Sequence, residues 1–188
     1  MVLEKLSEVV GLPVICSDNG KKAGNVEDII FCPEERKVKA FVLEQKGYEL
    51  IKKVILMKDV ISLGNDAVLI KDASCIRTLK RLEKSGELEG KGEIKGLRII
   101  SKAGNDLGIV KDILFDSSSG IVEGVEVSDG LIQDIMEGRK IIPFFGKVEF
   151  GEENILVGNE AVEEMKNTGG GIKNKLLRKQ NRGDIPAE

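Results

Sequence analysis

Residues 24–31 read GNVEDIIF and residues 108–115 read GIVKDILF, so glycine, valine, aspartate, isoleucine and phenylalanine recur in the same order 84 positions apart. The match is wider than these octets. GLPVICSDNGKKAGNVEDIIF (11–31) aligns with GLRIISKAGNDLGIVKDILF (96–115) after one gap, and an internal duplication accounts for it. Each copy continues through a turn, CPEERK (32–37) or DSSSG (116–120), into an alternating stretch, VKAFVLE (38–44) or VEGVEVS (122–128). Period-two alternation predicts strands, with Phe41, Leu43, Val125 and Val127 facing inward. Each copy closes in the same way, VILMKDVISLGNDAVLI (54–70) against IIPFFGKVEFGEENILV (141–157), with tight turns marked by Gly64 and Gly151. Short strands at this spacing, with further glycine turns at 19–20 and 104, hide their edges best by closing into small barrels. The expected fold is all-β: two tandem small β-barrels with short accessory helices and a flexible C-terminal tail.

The expected boundaries are a first domain over 1–86, a linker over 87–95, a second domain over 96–168 and a basic tail over 169–188. One accessory helix is expected over 73–85, ASCIRTLKRLEKS, where Ile76, Leu79 and Leu82 form a stripe behind Asp72 as N-cap and Gly86 stops the run. NEAVEEMKN (159–167) repeats it, and LIQDIM (131–136) is a short helix inserted only in the second copy.

Composition narrows the function classes. The chain of 188 residues has no histidine and no tryptophan, so it has no Ser-His-Asp or Cys-His arrangement, no histidine-containing zinc site and no unperturbed base near neutral pH. Cys16, Cys32 and Cys75 are odd in number and widely spaced, as reduced thiols are; Cys32 is expected at an exposed strand end. No run reaches the length of a membrane helix, and MVLEKLSEVV lacks a signal-peptide pattern, which predicts a cytoplasmic protein. The net charge of −3 hides an acidic second half and a basic tail. The glycine runs GKGEIKG (90–96) and GGG (169–171) lack the strand and Lys-Ser/Thr of a phosphate loop. No cofactor, metal or small-molecule substrate is expected, and no catalytic residue is assigned.

Strict alternation would place Asp28 on the face of Val26 and Ile30, and Asp112 on that of Val110 and Leu114. A buried carboxylate must be hydrogen-bonded, bulged outward or functional. The expected role is architectural, each aspartate accepting backbone N–H groups of an adjacent turn. Gly24 and Gly108, just before these strands, are expected to supply a positive φ or a close backbone approach.

In GLPVICSDNGKKAGNVEDIIF, VKAFVLE and VILMKDVISLGNDAVLI, and in GIVKDILF and GRKIIPF of the second copy, the chain resembles the PRC-barrel domains. That family is named for the cytoplasmic H subunit of the photosynthetic reaction centre and is found also in a ribosome-maturation factor. The resemblance is greatest to stand-alone tandem-barrel proteins of spore-forming and related bacteria. It implies small β-barrels used for docking or assembly without enzymatic activity, and it carries over no catalytic residues. The first expectation is therefore a non-enzymatic protein-interaction or adaptor module. Its candidate patch is Leu131, Ile132, Ile135, Met136, Phe144 and Phe145, in the stretch found only in copy 2. The alternative is a factor of RNA metabolism or ribosome assembly, served by the basic clusters at 21–24, 48–53 and 173–182. A weaker membrane-surface contact through Leu176–Leu177 and the flanking basic residues of the tail is the remaining partner class.

Overall fold

The computed structural model describes residues 2–45, 51–88, 92–130 and 138–167. The first copy supplies β2 (Pro13–Cys16), β3 (Lys22–Cys32), β4 (Lys37–Leu43), β5 (Lys53–Leu56), β6 (Val60–Leu63), β7 (Val68–Ile70) and β8 (Ile76–Thr78). They form a sheet in the order β6-β7-β2-β3-β4-β5-β8. The second supplies β9 (Arg98–Ser101), β10 (Asp106–Asp116), β11 (Val122–Ser128), β12 (Lys140–Pro143), β13 (Glu149–Phe150), β14 (Asn154–Val157) and β15 (Lys166–Asn167). Their order, β13-β14-β9-β10-β11-β12-β15, repeats the first strand for strand. In both, the pair at the same position is parallel, β2 with β7 and β9 with β14. The duplication seen in sequence is thus a duplication of topology, and the chain is all-β with two barrel-type sheets and short helices.

Turn chemistry fixes the strand ends. Gly20 (φ 68°) and Gly104 (φ 85°) take the left-handed conformation expected of the turns at 19–20 and 104. Gly64 N–H donates to Ala67 O at 3.0 Å and Gly151 N–H to Asn154 O at 2.9 Å, closing the equivalent hairpins β6–β7 and β13–β14. β3 spans 11 residues and shifts register twice against β4, between Val26 and Asp28 and between Ile30 and Phe31. Such bulges bend a long strand and let one sheet curl.

The chain forms two compact units, Met1–Ile94 with Ile113–Glu123, and Lys95–Asp112 with Gly124–Glu188. The far end of the β10–β11 hairpin therefore belongs to the first unit. There β1 (Leu3–Lys5) pairs antiparallel with it, Leu3 opposite Asp116 and Lys5 opposite Leu114. Val38 N–H donates to Gly120 O at 2.8 Å and Val122 N–H to Arg36 O at 2.9 Å, on either side of the Lys37–Ile121 bridge. Positions 36 and 120, and 38 and 122, are repeat equivalents, so the two bonds are reciprocal. Gly120 (φ 75°) is required here, because a Cβ would lie 2.6 Å from Val38 O.

The first unit buries both faces of β4. Phe41 and Leu43 face the interior as expected, with Phe41 against Phe115 at 6.4 Å between ring centroids. The opposite face, Ala40 and Val42 with Ile30, Val54 and Leu56, is sealed by Leu79 and Leu82 of α2 (Leu79–Lys84) and by Leu88. Leu88 and Ile94 are buried, and Gly92 N–H donates to Phe31 O at 2.9 Å, so part of the stretch read as linker is packed against the first unit. The second unit packs Ile99, Val110, Val125, Val127, Ile142 and Ile155, with Phe144 edge-on to Phe150 at 5.7 Å.

The helix expected over 73–85 is corrected. Asp72 does cap, its carboxylate accepting Ser74 N–H at 2.7 Å, but the element it starts is a single 3-10 turn, Ala73–Cys75. Ile76–Thr78 then pairs with β5 as β8, and only Leu79–Lys84 is helical. β-branched Ile76 and Thr78 suit a strand, and Arg77 is held at 3.1 Å by both Asp59 and Glu87. Gly86 (φ 73°) ends the helix as expected, with Glu87 N–H returning to Leu82 O. In the second copy the corresponding stretch is α3 (Asn159–Glu163) followed by β15. The insertion at 131–136 and the tail over 169–188 lie outside the described residues.

Candidate functional site

The site grows from the bulge in β3. Between Val26, opposite Leu43, and Asp28, opposite Val42, an extra residue is accommodated, and Glu27 and Asp28 both turn outward while Val26 and Ile30 stay buried. The bulge spares the strand the cost of burying a carboxylate. Asp28 Oδ1 accepts the N–H of its neighbour Ile29 at 2.8 Å, not those of an adjacent turn. The expected architectural role is thus corrected for Asp28, whose side chain faces solvent.

Glu27 and Asp28 edge a groove of about 590 Å³ that Glu93 also lines. Ile30, Val42 and Leu79 form its apolar floor and belong to the cluster beneath α2. Lys52 is the one cation among the described residues of the lining. None of the three carboxylates has an ion-pair partner among the described residues. They do not make a metal cage either, since no cluster of three or more ligating side chains occurs among the described residues.

The second unit carries a groove of about 640 Å³ lined by Arg98, Lys111 and Arg139 with Asp106 and Asp129. Lys111 is the repeat equivalent of Glu27, so the rim changes sign. Most of these charges are already paired: Arg98 with Asp106, Arg139 with Glu126 at 2.9 Å, and Asp129 with Lys140 at 2.6 Å. The Gly108 N–H, then Arg98, hold the Asp106 carboxyl below its ordinary range.

The other predicted residues are placed as follows. Asp112 is 3% exposed, inside the second unit, where Asp28 is outside the first. Gly108 (φ 112°) meets its expectation, a Cβ there lying 2.5 Å from Ser128 O. Gly24 does not: its φ is not positive, and a Cβ would make only ordinary contact with Leu43 Cδ1 at 3.7 Å. Phe144 is 2% exposed and stacked in the core, so it is withdrawn from the surface patch, while Phe145 is 49% exposed. Phe144 keeps the inward parity of Ile142. Leu131, Ile132, Ile135 and Met136 lie outside the described residues, as do residues 48–50 and 173–182 of the basic clusters. Cys32 is buried rather than exposed, and burial, then Asp18 and Asp72, pushes the Cys16 thiol up.

Two features escaped the sequence reading. The turn-pinning acceptor assigned to the motif aspartate belongs to Asp116, four residues on, whose Oδ1 receives the backbone N–H and hydroxyl of both Ser118 and Ser119. The Ser118 hydroxyl, then the Ser119 N–H, hold this carboxyl far below the usual range. The Asp-Ser-Ser-Ser-Gly run is a signal for such a turn. The second feature is a pocket of about 360 Å³ lined by Lys37, Lys39 and Lys58 with Ser118 and Ser119, a cluster assembled from β4, the 3-10 turn at Met57–Asp59 and the turn after β10. Lys39 pairs with Glu35 there and Lys58 with Glu87 at 3.0 Å, which lowers the Glu87 carboxyl.

Two sheets of the same strand order, each with a parallel pair at the same position and a groove on its surface, define a tandem protein of small β-barrel type. The family model for the PRC-barrel domain matches residues 1–74 and 88–162, and the chain belongs to that family. Among curated proteins it is similar to "Uncharacterized protein YrrD" of Bacillus subtilis (strain 168), with 28% identity over 141 residues, 74% of this chain and 78% of that protein.

Proposed function

We propose that this chain is a non-enzymatic protein-interaction module, an adaptor that presents its two PRC-barrel domains to a protein partner in the cytoplasm. The observation that carries this reading is the contrast between the grooves. In the second unit the charges are largely paired with one another, whereas in the first three carboxylates form no ion pair among the described residues around an apolar floor. A partner that brings cations to this rim and an apolar side chain to this floor offsets the cost of desolvating the carboxylates without breaking an existing ion pair. The absence of histidine from the sequence and the burial of Cys16 and Cys32 leave little for acid–base or nucleophilic chemistry.

The test is affinity purification of the tagged full-length chain from its native cell after nuclease treatment, followed by reconstitution with the purified partner. A stoichiometric binary protein complex is the expected result. Recovery that depends wholly on RNA would overturn it in favour of the RNA-metabolism reading, for which the pocket of Lys37, Lys39 and Lys58 is the supporting surface.

A further inference from the structure

We infer that the groove edged by Glu27, Asp28 and Glu93 takes a cationic, aliphatic segment of a protein partner, a short stretch combining lysine or arginine with leucine-like side chains; this rests on the interaction reading above. Three features of the groove argue for that chemistry. Its floor of Ile30, Val42 and Leu79 offers apolar surface continuous with the core, which an aliphatic side chain can cover. Its carboxylates form no ion pair with Lys52 or any other described residue, so a partner's ammonium or guanidinium would break no existing ion pair among these on binding. Lysine and arginine are suited to both at once, because their methylene stems lie along apolar surface while the charged head reaches the rim. The same rim repels a phosphate backbone, which separates this surface from the lysine pocket elsewhere in the unit. The second unit offers no equivalent, since Lys111 stands where Glu27 does and its groove carries three cations.

The experiment uses the full chain and three fluorescein-labelled decapeptides, of alternating lysine and leucine, glutamate and leucine, or lysine and serine, read by fluorescence anisotropy at low and physiological salt. The lysine–leucine peptide is expected to bind tightest, with the lysine–serine peptide weaker and the glutamate–leucine peptide not binding. The double variant Glu27→Lys/Glu93→Lys, both exposed positions, is expected to weaken the lysine–leucine peptide about tenfold or more. Glu152→Lys/Glu153→Lys makes the same charge change on exposed residues of the second unit and is expected to leave it within about twofold. Equal losses in the two double variants, or tighter binding of the glutamate–leucine peptide, would overturn the assignment, as would no binding by the unaltered chain. Melting curves of both variants check that the fold is kept. A reconstituted partner complex that survives Glu27→Lys/Glu93→Lys would sink this inference while leaving the interaction reading intact; no partner complex at all would sink the latter.

Discussion

β3 and β10 share a sequence motif, a length of 11 residues and a place in their sheets, yet their aspartates end on opposite sides of the protein surface. Asp28 is turned out by a bulge and edges a groove, whereas Asp112 is buried. The difference extends to the neighbours. Ser101, Asp116 and Glu126 are buried polar residues where the first copy has Cys16, Cys32 and Val42, all buried and apolar. Duplication preserved the strand order, while the polarity of the interior and the sign of the rim diverged. A residue conserved between two copies of a motif therefore shares a position, and its role depends on the local backbone.

The sharpest break in the comparison lies at the glycines. Gly108→Ala puts a Cβ within 2.5 Å of Ser128 O at a φ of 112°, and is expected to cost about 3 kcal/mol in guanidinium unfolding. Gly24→Ala meets only Leu43 Cδ1 at 3.7 Å, and is expected to be neutral or to stabilise by about 0.5 kcal/mol. Similar losses at the two sites would mean that β3 and β10 are under the same backbone constraint. The aspartates come next. Asp112→Asn, at a buried and partnered position, is expected to lose about 1–3 kcal/mol, and Asp28→Asn no more than about 0.5 kcal/mol. A larger loss from Asp28→Asn than from Asp112→Asn would contradict the exposed and buried environments as the source of their different roles.

The repeat, the strands and the inward face of β4 and β11 were legible because each rests on a period or on turn glycines, which act locally. What escaped depended on register. Alternation put Asp28 on the face of Val26 and Ile30, and a one-residue shift, invisible in the sequence, moved it outward. The helix stripe of Ile76, Leu79 and Leu82 fitted a 3.6-residue period, but β5 offered Ile76–Thr78 a strand partner and tertiary pairing outweighed the pattern. The groove itself joins side chains from positions 27 to 93, and its charge balance appears only when they meet. Asp116 is the opposite case, since its Asp-Ser-Ser-Ser-Gly turn is a local signal, whereas the repeated aspartate four residues earlier carries none for a turn.

Asp116 also supplies the subtlest way to separate the copies, because Cys32 stands at the equivalent position and brings no carboxylate there. The serine hydroxyls and N–H groups that converge on Oδ1 favour the carboxylate, so the folded protein holds Asp116 ionised to lower pH than the unfolded chain does. Between the folded value and the unfolded one of about 3.9, the unfolded state binds more protons and stability rises with pH. The contribution is complete above about pH 5 and fades as pH falls through the folded value. Asp72, Glu87, Asp106 and Glu149 are lowered as well and slope the same way, so acid lability alone does not isolate Asp116. Comparison with Asp116→Asn does: the variant is expected to melt lower than the unaltered chain at neutral pH, with the gap narrowing steadily below about pH 4. A gap that stays constant down to about pH 2 would show that the loss in Asp116→Asn does not come from the charge of the carboxylate, and would remove this difference between the copies.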